Sequence, residues 1–153
     1  VSLRNRLDDE IKTAMRSGDA MRRDALRMVL AAVQRVEKEG HHTLSDEEMI
    51  SVLARELKVR NESLEAFRAG NRPELAAKEE HAISVVNEFL PQPLTEADLR
   101  ALVDQAIAET GAAAPRDMGK VMGWLSPRTR GRADGKTVST MVTQVLAARS
   151  AQT

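Results

Sequence analysis

Between positions 116 and 136 the chain gathers six cations, Arg116, Lys120, Arg128, Arg130, Arg132 and Lys136, against two carboxylates, Asp117 and Asp134, for a net charge of +4. A guanidinium is a permanently charged planar fork whose paired N–H groups match a phosphate. Arg128, Arg130 and Arg132 alternate around Gly131, a pattern that predicts a non-helical connection displaying them to solvent. Three readings fit such a segment: an ordinary solvated basic loop, a surface for nucleic-acid phosphates, or a dock for an acidic protein. Trp124 is the one candidate stacking residue here, and its place between Val121 and Leu125 predicts a core position. Any RNA contact is therefore expected to run through shape and phosphates, not through base reading.

A second constellation lies upstream. Arg60 interrupts the apolar spacing of Leu57 and Leu64, and Glu79 interrupts that of Leu75 and Ile83. Two helices folded back on each other would bring them nearly opposite, with Glu56 one turn before Arg60. The expected role is a structural ion pair, with a ligand-facing polar pocket as the alternative. Acid–base catalysis by the carboxylates is a third reading, but no nucleophile or electrophile accompanies them. His41, His42 and His81 are too few and too scattered to define a metal site, and there is no cysteine. Gly131-Arg132-Ala133-Asp134-Gly135 lacks the spacing of a phosphate-binding loop. No cofactor and no metal are expected.

The elements that must position these residues read as helices. Leu3, Leu7, Ile11 and Met15 form one stripe, which ends at Ser17-Gly18-Asp19. The second helix, from about Met21 to Lys38, is apolar nearly all round in its middle, which predicts a central, buried position. Ser45 and Glu48 have capping-box spacing and open a third helix striped by Met49, Leu53, Leu57, Leu64 and Phe67. Gly70-Asn71 stops it, and Pro73 starts a fourth carrying Leu75, Ile83, Val86, Phe89 and Leu90, so the two form a long antiparallel hairpin. Pro91-Gln92-Pro93 cannot lie inside a helix and marks the expected domain junction. Beyond it a fifth helix carries Leu99, Val103 and Ile107. A sixth carries Met118, Val121, Met122 and Leu125 and is expected to stop at Pro127. A seventh, capped by Asp134, carries Val138, Met141, Val142 and Leu146. The expectation is an all-α chain: an N-terminal helical domain of about four helices over residues 1–90, then a small three-helix domain over residues 94–148.

Composition agrees with that reading. Hydrophobic residues make up 42% and charged residues 30% of 153, which points to a globular chain, and aromatic residues are only 2%, which disfavours strands. Net charge is zero, but it divides as −2 through Leu90 and +2 from Pro91 onward. Val1 to Glu10 mixes charged and apolar residues, unlike a signal peptide, and no stretch is long and apolar enough to span a bilayer. A cytoplasmic location away from membranes is expected.

Asp117-Met118-Gly119-Lys120-Val121-Met122-Gly123, followed by Gly131-Arg132-Ala133-Asp134-Gly135 and Val138, resembles the signature of the GatB/YqeY family. Arg27-Met28-Val29-Leu30-Ala31-Ala32, Arg60-Asn61-Glu62-Ser63, Phe67-Arg68-Ala69-Gly70-Asn71-Arg72 and Phe89-Leu90-Pro91 resemble its free-standing YqeY branch, so the likeness spans nearly the whole chain. The resemblance implies that the C-terminal domain is similar to the tail of the B subunit of the glutamine-dependent tRNA amidotransferase, where the tail helps hold tRNA. It thus implies a non-catalytic tRNA-binding accessory protein, to which a carbon–nitrogen ligase label would pass only through the shared tail. A stand-alone amidating enzyme would need ATP and glutamine sites that the residues do not provide. The alternative is a protein-interaction module that docks on an amidotransferase or an aminoacyl-tRNA synthetase without touching RNA.

Overall fold

The computed structural model describes residues 2–152, which form α1 (Leu3–Ser17), α2 (Ala20–Gly40), α3 (Asp46–Ala69), α4 (Pro73–Phe89), α5 (Glu96–Thr110), α6 (Met118–Thr129) and α7 (Gly135–Ala151). A single 3-10 turn, Pro115–Asp117, leads into α6, and there is no strand among the described residues. The all-α expectation holds. The chain divides into two compact units, Val1–Leu90 and Pro91–Thr153.

In the first unit, α2 packs against α1, α3 and α4, as its nearly all-round apolar middle requires. The core joins Leu7, Ile11, Leu26, Val29, Val33, Met49, Leu53, Val86 and Phe89. Met15 departs from the expected stripe, being 54% exposed while Ala14 is buried. Residues four apart on a helix advance by 400°, so a strict four-residue stripe drifts about 40° per step, and after three steps Ala14 faces the core instead. Arg22 braces the bundle: its guanidinium donates to Glu88 on α4 at 2.8 Å and to Glu10 on α1 at 2.9 Å. These two carboxylates hold the Arg22 pKa above its ordinary value.

The hairpin of α3 and α4 turns at Gly70–Arg72. The left-handed position there belongs to Asn71, with φ of 55°, while Gly70 keeps a φ of −84°. Asparagine is among the few non-glycine residues that visit this region readily. With 24 residues α3 extends about 36 Å at 1.5 Å per residue. The main core reaches only its N-terminal half and the C-terminal half of α4.

The second unit is a three-helix domain around Leu99, Val103, Ile107, Val121, Leu125, Val142 and Leu146. Its first helix opens with a capping box: the Asp98 N–H donates to Thr95 Oγ1 at 3.0 Å, and the Thr95 N–H donates back to Asp98. Gly111, with φ of 70°, closes it. Two expectations fail here. Pro127 does not stop α6 but lies inside its last turn, two residues before Thr129, where few further backbone bonds remain to be lost. Asp134 holds the N-cap position of α7, but its side chain makes no capping hydrogen bond.

Candidate nucleic-acid interface

All six cations of the basic segment belong to the second unit, at the two ends of α6 and the start of α7. Arg116 sits in the 3-10 turn and is exposed. Lys120 is on the first turn of α6, with its side chain 69% exposed, and reaches Asp117 only at 4.0 Å. Asp117 is committed elsewhere: its carboxylate accepts the N–H groups of Ala113 at 2.9 Å and Ala114 at 3.2 Å. Those two bonds, aided by Lys120 and Arg116, hold its pKa below the usual carboxylate value. Asp117 therefore braces the turn into α6 and stays ionised beside Lys120 and Arg116.

Arg128 is not in the α6–α7 connection, as the sequence pattern predicts. The extension of α6 through Pro127 carries it onto the helix. There its guanidinium lies 3.7 Å from the Trp124 ring centroid and donates to the Trp124 carbonyl. Arg130 caps the helix and is exposed, and no hydrogen bond engages its side chain among the described residues. Gly131 follows with φ of 74°, which lets the chain reverse toward α7.

Arg132 behaves differently. It is half-buried, and its Nε donates to the Gln92 carbonyl at 2.9 Å, while its own carbonyl accepts the Leu94 N–H at 2.9 Å. It pins residues 92–94 to the α6–α7 connection. Lys136 is exposed on the first turn of α7. It rims an open groove of about 540 Å³ between the N-terminal ends of α5 and α7, whose walls include Thr95, Leu99, Thr137 and Met141. The N-terminal turn of α7 adds backbone donors and the positive end of its dipole to that side.

Trp124 is not a core residue. It packs against the core from the rim, half-exposed, with its indole N–H donating to Glu109 at 2.8 Å. The i, i+4 spacing of Lys120, Trp124 and Arg128 was a legible signal that they share one face of α6. The tie from α5 through Glu109 was not legible, because nothing in linear spacing pairs residues 109 and 124.

The second constellation assembles in the first unit. Arg60 donates to Glu56 at 3.0 and 3.1 Å and to Glu79 at 3.2 Å, with side-chain exposures of 26%, 15% and 13% for Arg60, Glu56 and Glu79. One arginine between two carboxylates joins α3 to α4. Glu79 Oε2 is buried without a hydrogen bond among the described residues. His41 takes a left-handed φ of 55° as the C-terminal cap of α2, and His42 bonds Glu48. No three His, Asp or Glu side chains among the described residues converge as metal ligands.

The fold and this cationic shoulder define a class: a helical bundle followed by a three-helix module with basic residues at the ends of its middle helix. The chain belongs to the YqeY-like family, whose model, described as Yqey-like protein, matches residues 4–146. It is 28% identical over 147 residues to the altered inheritance of mitochondria protein 41, mitochondrial, of Pyrenophora tritici-repentis, covering 94% of this chain and 81% of that one. An uncharacterized protein of Schizosaccharomyces pombe is 28% identical over 90 residues, 59% of this chain and 70% of its own. A Candida glabrata protein bearing the same name as the first is 25% identical over 95 residues, 60% of this chain and 52% of its own. No helix among the described residues is long and apolar enough to cross a membrane.

Proposed function

We propose that the protein is a non-catalytic tRNA-binding accessory module whose second unit holds tRNA through phosphate contacts. The observation that carries this reading is the set of exposed, weakly neutralised cations Arg116, Lys120, Arg128, Arg130 and Lys136, presented by one small unit. Asp117 and Asp134 are the two carboxylates within this segment, so the cations outnumber them six to two. Arg132 contributes charge to the same surface, although one of its donors is spent on the backbone. The link to a tRNA amidotransferase rests on the likeness of the second unit to that enzyme's tail, and any carbon–nitrogen ligase chemistry would belong to the partner.

The second reading, docking on an amidotransferase or an aminoacyl-tRNA synthetase without RNA contact, is favoured by the first unit. There Arg4, Arg22, Arg60 and Arg68 are each paired with a carboxylate. The compartment proposed is the cytoplasm. Two relatives are named as mitochondrial, and tRNA is present in both places, so the binding reading is independent of that choice. Capture from lysate with the full chain as bait, with and without ribonuclease, separates the two functions. Co-purified tRNA that disappears with ribonuclease supports the first reading. A synthetase or amidotransferase retained after ribonuclease, with no RNA in the untreated sample, supports the second.

A further inference from the structure

The geometry points to Trp124 and Arg128 as a stacking platform for one unpaired, looped-out nucleobase of a structured RNA, so that the module reads an exposed base as well as phosphates. This rests on the tRNA-binding reading and deepens it. The indole is held at one edge by Glu109 and covered by the Arg128 guanidinium at 3.7 Å from its centroid. Arg128 is further fixed by its bond to the Trp124 carbonyl, yet no ion pair neutralises it and its residue is exposed. Glu109, the acid on the neighbouring helix, already accepts from both Trp124 and Gln105.

A guanidinium laid flat on an indole keeps an outer face free, and bases stack on guanidinium planes as they do on aromatic rings. The remaining N–H groups along its edge suit a phosphate or a base carbonyl. Because the side chain is already held in place, little rotamer freedom is lost when a base arrives. The surroundings fit the same ligand. Lys120 lies one turn before Trp124 on the same face of α6, so a cation stands beside the platform for a flanking phosphate. Gly119 and Gly123 open on empty space, which leaves the helix face beside the platform without side chains to obstruct a ribose. A duplex keeps its bases stacked inside and offers none to such a platform.

The chain holds one tryptophan and no tyrosine, so its tryptophan emission reports on Trp124 alone. The full-length protein is titrated with bulk tRNA and, separately, with a blunt, fully paired RNA duplex at low salt. Anisotropy of labelled RNA gives the affinities. The expected result is strong quenching by tRNA and none by the duplex. W124L, which removes the ring that holds the Arg128 guanidinium in place, should weaken tRNA binding roughly tenfold, the order of one stacked base, with an unchanged salt dependence, and W124F should restore most of the loss. Circular dichroism of both variants checks that the helices remain. Tight tRNA binding that leaves Trp124 emission unchanged would overturn the platform and leave the phosphate reading standing. Failure of the wild-type protein to bind tRNA at all would overturn both.

Discussion

Arg60 is held between carboxylates, unlike the exposed arginines at the ends of α6. It is shared by two carboxylates, so the two ends of the triad are not equivalent. Replacing Arg60 with Met leaves Glu56 and Glu79 facing each other without a cation, whereas Glu79→Gln leaves Arg60 still bonded to Glu56. Breaking a fully buried pair costs about 3–5 kcal/mol. With Arg60 about a quarter exposed, the expected loss for R60M is smaller, about 2–3 kcal/mol, and for E79Q about 1 kcal/mol or less. Urea denaturation of the two variants measures both. Equal losses would contradict a triad centred on Arg60. The interruption of two apolar stripes was enough to anticipate this group, because a charged residue at a core-facing position needs a partner. Trp124 was misjudged for a related reason: its neighbours Val121 and Leu125 are core, but at 3.6 residues per turn it sits on the flank between them and the solvent face.

At the scale of elements, most helix ends follow from local chemistry. The Ser45 and Glu48 capping box, the Thr95 box and Gly111 are local devices, so their outcome was legible in the sequence. Pro127 was not, since a proline near a helix end is compatible with either stopping the helix or riding in its last turn. That one ambiguity moved Arg128 from a loop to a helix and onto Trp124. The α2–α3 connection adds a pH dependence. His42 Nε2 bonds Glu48 at 2.9 Å and Nδ1 bonds the Gly40 carbonyl at 3.1 Å, and an imidazole donates from both nitrogens only when protonated. The Gly40 carbonyl and then Glu48 raise the His42 pKa above 6.5. Because the folded value is the higher one, this contribution to stability is complete below about pH 6.5 and is lost as pH rises through the folded value. The midpoint of urea unfolding is therefore expected to fall between pH 6 and pH 8, and H42Q is expected to lessen that fall. An identical slope in H42Q would mean that His42 is not the titrating group.

For the whole molecule, the pinning of residues 92–94 by Arg132 sets where the second unit begins. Leu94 packs on its core, its N–H bonds the Arg132 carbonyl, and Gln92 accepts from Arg132 Nε. None of this is visible in linear spacing, from which the domain is expected to start at residue 94. A fragment starting at Pro91 and running to Thr153 is therefore expected to unfold cooperatively at a higher temperature than one running from Thr95 to Thr153. R132A in the full chain should cost about 1 kcal/mol, the usual worth of such hydrogen bonds. Thermal circular dichroism decides it, and indistinguishable fragments would show that residues 91–94 add nothing.

The central claim is that the second unit meets RNA phosphates. Each neutralised phosphate releases condensed counterion, so the logarithm of affinity falls linearly with the logarithm of salt, by about 0.7 to 0.9 per contact. The most direct measurement is anisotropy of labelled tRNA with the full-length protein across a salt series, repeated for K120A, R130A and, as a control on the first unit, K12A. With about four contacts the account predicts a wild-type slope of roughly −3, flattened by about one unit in K120A and in R130A and unchanged in K12A. A slope near zero, no binding of bulk tRNA at low salt, or a slope that ignores Lys120 and Arg130 would contradict it.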